Sequence, residues 1–132
     1  AAYGEYLNWM YFSDATLTFP QTLVLRYEML EKKSRRQPQV ADDYRMWFSG
    51  RLRVVDRKLE HAMWMAADRF TMADIAIGYG LLLASVLPPL EPCLTPTCKE
   101  YLNRLKARPA FKRAQDRQKQ DLVVEVGDNN PI

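Results

Sequence analysis

Arg69-Phe70-Thr71-Met72-Ala73-Asp74-Ile75 is the stretch on which the reading of this chain turns. Thr71 stands where a helix N-cap belongs, its hydroxyl able to accept from an unpaired N–H of the first turn. Asp74, three residues on, can reach back to the Thr71 N–H and close a capping box, with Asp in the position usually held by Glu or Gln. Phe70 before the cap and Ile75 at the fourth helical position would complete a hydrophobic staple. Two devices therefore specify one helix start. The helix they open runs into Ile75 to Leu87, the most apolar window of the chain. It is apolar nearly all round, which predicts a central, buried element. It would be about 20 Å long against a bilayer core of ~30 Å, so it reads as a core helix and not a membrane span.

Working outward toward the N-terminus, Ala66-Ala67-Asp68-Arg69 is a hinge, preceded by a second helix from about Val40 to Met63. Tyr44, Phe48, Leu52, Val55, Leu59 and Met63 step by three or four and form its apolar stripe. Trp47 and Trp64 flank that stripe and read as packing residues. Glu31 to Pro38 is a charged connector, either a solvated loop or an anion-docking patch. The first segment, Gly4 to Leu30, carries Tyr6, Met10, Ser13, Leu17, Leu23, Tyr27 and Leu30 at helical spacing. Pro20 interrupts it, since proline lacks the N–H and crowds the preceding turn. The expectation is one long kinked helix, or two helices meeting near Phe19-Pro20.

Toward the C-terminus, Pro88-Pro89-Leu90-Glu91-Pro92 stops the central helix. Thr95-Pro96 opens the next, threonine as cap and proline at the first helical position. Its stripe is Cys98, Tyr101, Leu102 and Leu105. Arg108-Pro109 restarts a short helix, and Asp121 to Ile132 reads as a tail that packs back or frays. The division expected is one helical domain over residues 1–120 followed by a tail over 121–132. The fold class is all-α, a bundle of five or six helices.

Composition agrees. The chain has 132 residues with 48% hydrophobic and 27% charged side chains, an ordinary globular balance. Five glycines are too few for a turn-rich β-protein, and two cysteines make no disulfide framework. A net charge of +3 is too small to argue for nucleic acid. The basic clusters Lys32, Lys33, Arg35, Arg36 and Lys112, Arg113, Arg117, Lys119 come with no recognition module. Neither a nucleic acid nor a membrane is an expected partner. No secretory leader is visible in Ala1 to Met10, and the opening at Ala1 without methionine suggests a piece of a longer protein.

A search for chemistry finds little. His61 is the single histidine and reads as structural or exposed. Cys93 and Cys98 lack the further ligands that a zinc site needs. Cys98, in the first turn of a helix, is either a buried apolar residue or a reactive thiol. Gly78-Tyr79-Gly80 neither follows a strand nor opens a helix, so it is no phosphate loop and reads as a close helix contact. What stands out is the first segment, where Tyr3, Tyr6, Trp9, Met10, Tyr11, Phe12 and Phe19 point around the whole helix. Trp9, Phe12, Thr16 and Phe19 make a second apolar face. Either another helix covers it, or a further domain, a second subunit or an apolar ligand does.

Three segments together resemble the C-terminal helical domain of the glutathione transferase family. They are Arg69 to Ile75, like the family's capped start of its central helix; Tyr101 to Ala114, like its closing helix, Arg-Pro, helix element; and Tyr6 to Leu17, like the first helix of the domain in bacterial members. Their order and spacing agree over Tyr3 to Arg117. The resemblance implies a cytoplasmic, homodimeric detoxification enzyme in which an N-terminal thioredoxin-like domain binds glutathione and activates its thiol. Glutathione would be a co-substrate, and no bound cofactor or metal is implied. The helical domain would supply the pocket for an apolar electrophile and part of the dimer interface. Carried over by position, Phe12, Thr16 and Phe19 fall at the electrophile pocket, with Tyr79 from the central helix. Asp14 falls at a contact to glutathione or the partner subunit, and Thr71 and Asp74 at the folding cap. No catalytic residue is implied, because the thioredoxin-like half is not in this sequence. The other reading is a non-catalytic domain of the same shape used for protein association.

Overall fold

A computed structural model describes residues 1–128, with side chains as far as Lys119. It is all-α: among the described residues there is no strand, only an isolated bridge between Ala66 and Arg69. The α-helices of this part are, in order, α1 (Ala2–Phe12), α2 (Phe19–Leu25), α3 (Pro38–Leu59), α4 (Met72–Val86), α5 (Pro96–Lys106) and α6 (Pro109–Asp128). The chain divides into two compact units, Ala1–Leu102 and Asn103–Ile132. The first carries the cleft described below.

The first segment does not break at Pro20. Phe12, Ser13, Thr18 and Phe19 all keep right-handed helical dihedrals. The conflict between proline and helix is resolved by widening: Ser13–Thr18, just ahead of Pro20, is a π-helical stretch, and Arg26–Leu30 is another. A wider turn bonds i→i+5 and moves the carbonyl that a regular turn would press against the proline ring. It also re-indexes the buried face. Trp9, Ser13, Leu17, Gln21 and Val24 are buried, mostly at steps of four, whereas Leu30 of the expected stripe is 71% exposed. Two of these residues fasten the segment to α4. Ser13 Oγ donates to the Ala76 carbonyl at 2.6 Å, and Gln21 Nε2 donates to the Gly80 carbonyl at 3.0 Å. The helices meet closely at Gly80, although a methyl there would lie 3.6 Å from Leu17 Cβ, an ordinary contact.

Helix α3 buries Ala41, Phe48, Leu52 and Val55 and ends at Leu59, one turn earlier than its apolar spacing suggests. Met63, the last residue of the expected stripe, is 61% exposed. The hinge is sharp. Ala67 and Asp68 both adopt left-handed dihedrals (φ 55° and 50°), and Arg69 N–H bonds the Ala66 carbonyl across them. Glu5 of α1 reaches this corner, accepting from Lys58 Nζ at 2.5 Å and from the Ala67 amide. The Lys58 hydrogen bond holds the Glu5 carboxyl below its ordinary pKa, against the opposing effect of burial.

The capping box forms as the sequence indicates. Thr71 Oγ1 accepts from Ala73 N–H, and Asp74 Oδ2 accepts from Thr71 N–H at 2.8 Å. Asp74 does more than cap: its Oδ1 also accepts from Met65 N–H at 2.9 Å and from the Tyr101 hydroxyl at 2.7 Å. One buried carboxyl thus joins the hinge, the start of α4 and the middle of α5. The staple is looser than expected, with Phe70 set edge-on to Trp64 at 5.5 Å while Ile75 is 48% exposed. Nor is α4 buried all round. Ala73, Ile77, Gly80, Leu81 and Ala84 face inward, but Met72, Ile75, Tyr79 and Val86 form an exposed apolar face.

Thr95 caps α5 by accepting from Cys98 N–H at 3.1 Å, and it donates to Asp56 Oδ1 at 2.6 Å. Cys98, Tyr101, Leu102 and Leu105 are buried along the predicted stripe. In the second unit, α6 starts at Pro109 as expected but is not short, running on to Asp128 through the stretch read as a tail. The Val123, Val124 and Val126 run lowers helix propensity by only about 0.5 kcal/mol per residue and contains no proline, so nothing stops the helix there. Residues 129–132 of the expected tail lie outside the described part.

Candidate functional site

A partly open cleft of about 220 Å³ lies in the first unit, between the N-terminal helical segment and α3. The N-terminal segment lines it with Phe12, Ala15, Thr16, Phe19 and Pro20; α3 adds Trp47 and Arg51. The wide turn at Ser13–Thr18 positions these groups. It turns Ser13 and Leu17 into the core and leaves Phe12, Thr16 and Phe19 together on the opposite side. Trp9, expected on that same face, is instead 7% exposed in the core, its ring edge-on to Phe12 at 5.2 Å.

The wall is an aromatic ladder. Phe19 meets Tyr44 edge-on at 6.3 Å, and Tyr44 stacks on Trp47 at 5.4 Å with an interplanar angle of 13°. The Arg51 guanidinium lies 5.7 Å from the Trp47 ring centroid, a cation–π contact. Phe19 and Trp47 are both about half exposed, so the ladder keeps aromatic surface open to solvent. Such a surface takes flat apolar groups and discriminates weakly among them.

Of the residues the resemblance points to, Phe12, Thr16 and Phe19 come together in this cleft. Tyr79 does not line it and sits 60% exposed on the outer face of α4. Asp14 is exposed, and its side chain makes no hydrogen bond or ion pair among the described residues. Thr71 and Asp74 belong to the α4 start. Sequence reasoning does not single out Trp47 and Arg51 as cleft residues. A signal for them is nonetheless present, since Tyr44, Trp47 and Arg51 succeed one another at three and four residues along the edge of the α3 stripe that carries Phe48 and Leu52.

Elsewhere several ionisable groups pair with one another or with main-chain carbonyls. Glu31 accepts from Arg26 at 3.1 Å and Arg35 at 3.4 Å, while Arg36 donates to the Glu31 and Met29 carbonyls. Within the connector, Arg35 and Arg36 are thus tied to Glu31 and Met29, while Lys32 and Lys33 stay exposed and make no ion pair among the described residues. Burial pushes the Cys98 thiol up to about 12, Asp56 adding to the rise and the Thr95 hydrogen bond opposing it. Its Sγ lies 3.2 Å from Asp56 Oδ1, as a donor. Of the two readings of Cys98 the apolar one stands. Among the described residues no His, Cys, Asp or Glu cluster could hold a metal, and no helix is long and apolar enough to cross a membrane.

No known protein family and no curated protein sequence matches the chain. Solved structures do. Glutathione S-transferase III in its apo form superposes with a TM-score of 0.72 at 20% identity, over 86% of this chain and 54% of that one. Glutathione transferase URE2P8 from Phanerochaete chrysosporium, solved with oxidized glutathione, gives 0.76 at 18% identity over 92% and 55%. Ure2p5 from the same fungus, cocrystallized with 1-(S-glutathionyl)-2,4-dinitrobenzene, gives 0.76 at 18% over 96% and 59%. The chain thus spans little more than half the length of these structures. Its fold is that of the helical part of the glutathione transferases.

Proposed function

We propose that this chain is the helical half of a two-part glutathione transferase and supplies the apolar wall of the site for an electrophilic second substrate. The observation that carries this is the cleft in which Phe12, Thr16 and Phe19 converge with Trp47. Its volume of about 220 Å³ falls below the ~300–1,000 Å³ of a complete small-molecule site, which fits one wall of a larger pocket. The other wall and the glutathione-activating group belong to a thioredoxin-like domain. The exposed α4 face of Met72, Ile75, Tyr79 and Val86 offers apolar ground on which such a domain can sit. Asp14, solvent-facing and unengaged among the described residues, is the group for a polar contact to glutathione or to a second copy in a homodimer. Cytoplasmic detoxification of apolar electrophiles is the role consistent with this reading.

The same uncovered α4 face favours a second reading, a non-catalytic association domain. Two titrations of the 132-residue chain separate them. Glutathione should give no saturable heat, while the neutral probe N-phenyl-1-naphthylamine should bind saturably. The double variant Phe12→Ala, Phe19→Ala should weaken that probe about five- to tenfold, the worth of a partly buried phenyl group. Saturable glutathione binding would overturn the two-part division. Tight self-association without probe binding would favour the association domain.

A further inference from the structure

Arg51 is the single ionisable side chain among the residues lining the cleft, and no carboxyl lines it. Its guanidinium rests against Trp47 and makes no ion pair among the described residues. Arg45, Lys58, Arg26, Arg35 and Lys99 are each paired with a carboxylate, whereas Arg53 and Arg57 on the same helix are, like Arg51, without an ion pair among the described residues but do not line the cleft. A second polar group stands open in the cleft. The hydroxyls of Thr18 and Thr22 return to backbone carbonyls at 3.0 and 3.1 Å, whereas Thr16, in the same helical run, makes no such bond among the described residues. An arginine held only by a cation–π contact with an indole keeps its N–H fork available to a ligand. That fork matches a carboxylate or sulfonate with two parallel hydrogen bonds.

We infer that the cleft selects flat aromatic molecules bearing one anionic group, the rings lying against Phe12, Phe19 and Trp47 and the anion on the Arg51 fork. This rests on the cleft being the small-molecule pocket and adds the substrate class: acidic aromatic compounds over neutral ones of the same skeleton. The Thr16 hydroxyl supplies a further donor to the same end of the ligand.

Two fluorescent probes with one skeleton test it, 8-anilinonaphthalene-1-sulfonate and the unsulfonated N-phenyl-1-naphthylamine. At low salt the chain should bind the sulfonate roughly five- to tenfold more tightly, the range for one charged contact at a partly exposed site. The preference should shrink as salt rises. Arg51→Gln should abolish it, the sulfonate's affinity falling to that of the neutral probe, and Arg51→Lys should keep part of it. Arg53→Gln removes the same charge from the exposed side of α3 and should leave the preference intact. Equal affinities in the unaltered chain, or a preference that survives Arg51→Gln, would overturn the role of Arg51. Should neither probe bind, or should Phe12→Ala with Phe19→Ala leave both affinities untouched, the pocket itself would fall, whatever Arg51 does.

Discussion

Asp74 is the residue on which most depends. Cap loss alone costs about 1 kcal/mol. Here, however, the carboxyl also satisfies the buried Met65 amide and the Tyr101 hydroxyl, and both are orphaned without it. Asp74→Ala should therefore lower stability by roughly 3 kcal/mol, a fall in melting temperature on the order of 10 °C. Tyr101→Phe removes one donor and leaves the box intact, so its cost should be only about 1 kcal/mol. Similar melting temperatures for the two variants would contradict this partition. Ala67 makes the opposite case. A left-handed alanine is strained by about 1–2 kcal/mol relative to glycine. Glycine's greater freedom in the unfolded chain cancels part of that. Ala67→Gly should consequently raise stability by about 0.5–1 kcal/mol in chemical denaturation, and a loss would mean that the methyl packs productively.

Among the elements, α5 shows how burial settles a thiol's chemistry. A helix N-terminus favours a thiolate, yet Cys98 is enclosed and its Sγ faces Asp56, so the neutral form wins. In the folded chain a thiol reagent should label half-buried Cys93 and spare Cys98 until denaturant is added; rapid labelling of both would refute this. Because folding raises the Cys98 pKa, its contribution to stability is complete below the ordinary thiol pKa and is lost as pH climbs toward about 12. The elements also differ in how far the sequence alone reveals them. Caps at Thr71 and Thr95 and the core faces of α3 and α5 are legible because local rules fix them within one turn. The first segment is not, since nothing local says that a proline will be absorbed by a widened turn instead of a break. That one choice moves Trp9 into the core and leaves Phe12, Thr16 and Phe19 on the cleft side. Trp47 and Arg51 escape for another reason: their role depends on which helix lies opposite, a long-range fact that periodicity does not carry. The Val-rich end of α6 reads as a tail because weak helix propensity mimics a stop, although it is only a small cost per residue.

For the molecule as a whole, the first unit is a folded body with two unfinished surfaces, an aromatic cleft on one side of the N-terminal helix and an apolar face on α4. Under the function proposed above a further wall completes both; the chain spans little more than half of the structures it resembles. Its core is secured by side chains that grip main-chain groups, Ser13 and Gln21 on α4 carbonyls and Asp74 on the Met65 and Thr71 amides. The anchorage at Asp74 has a bearing on how the protein is made. Tyr101 lies 27 residues beyond the carboxyl it serves. During synthesis on the ribosome, α4, the most apolar helix, emerges before the residue that completes its anchorage. Translation passes through an interval in which a hydrophobic segment is exposed with its polar anchor only partly satisfied, and it is in that interval that a nascent chain would engage a chaperone.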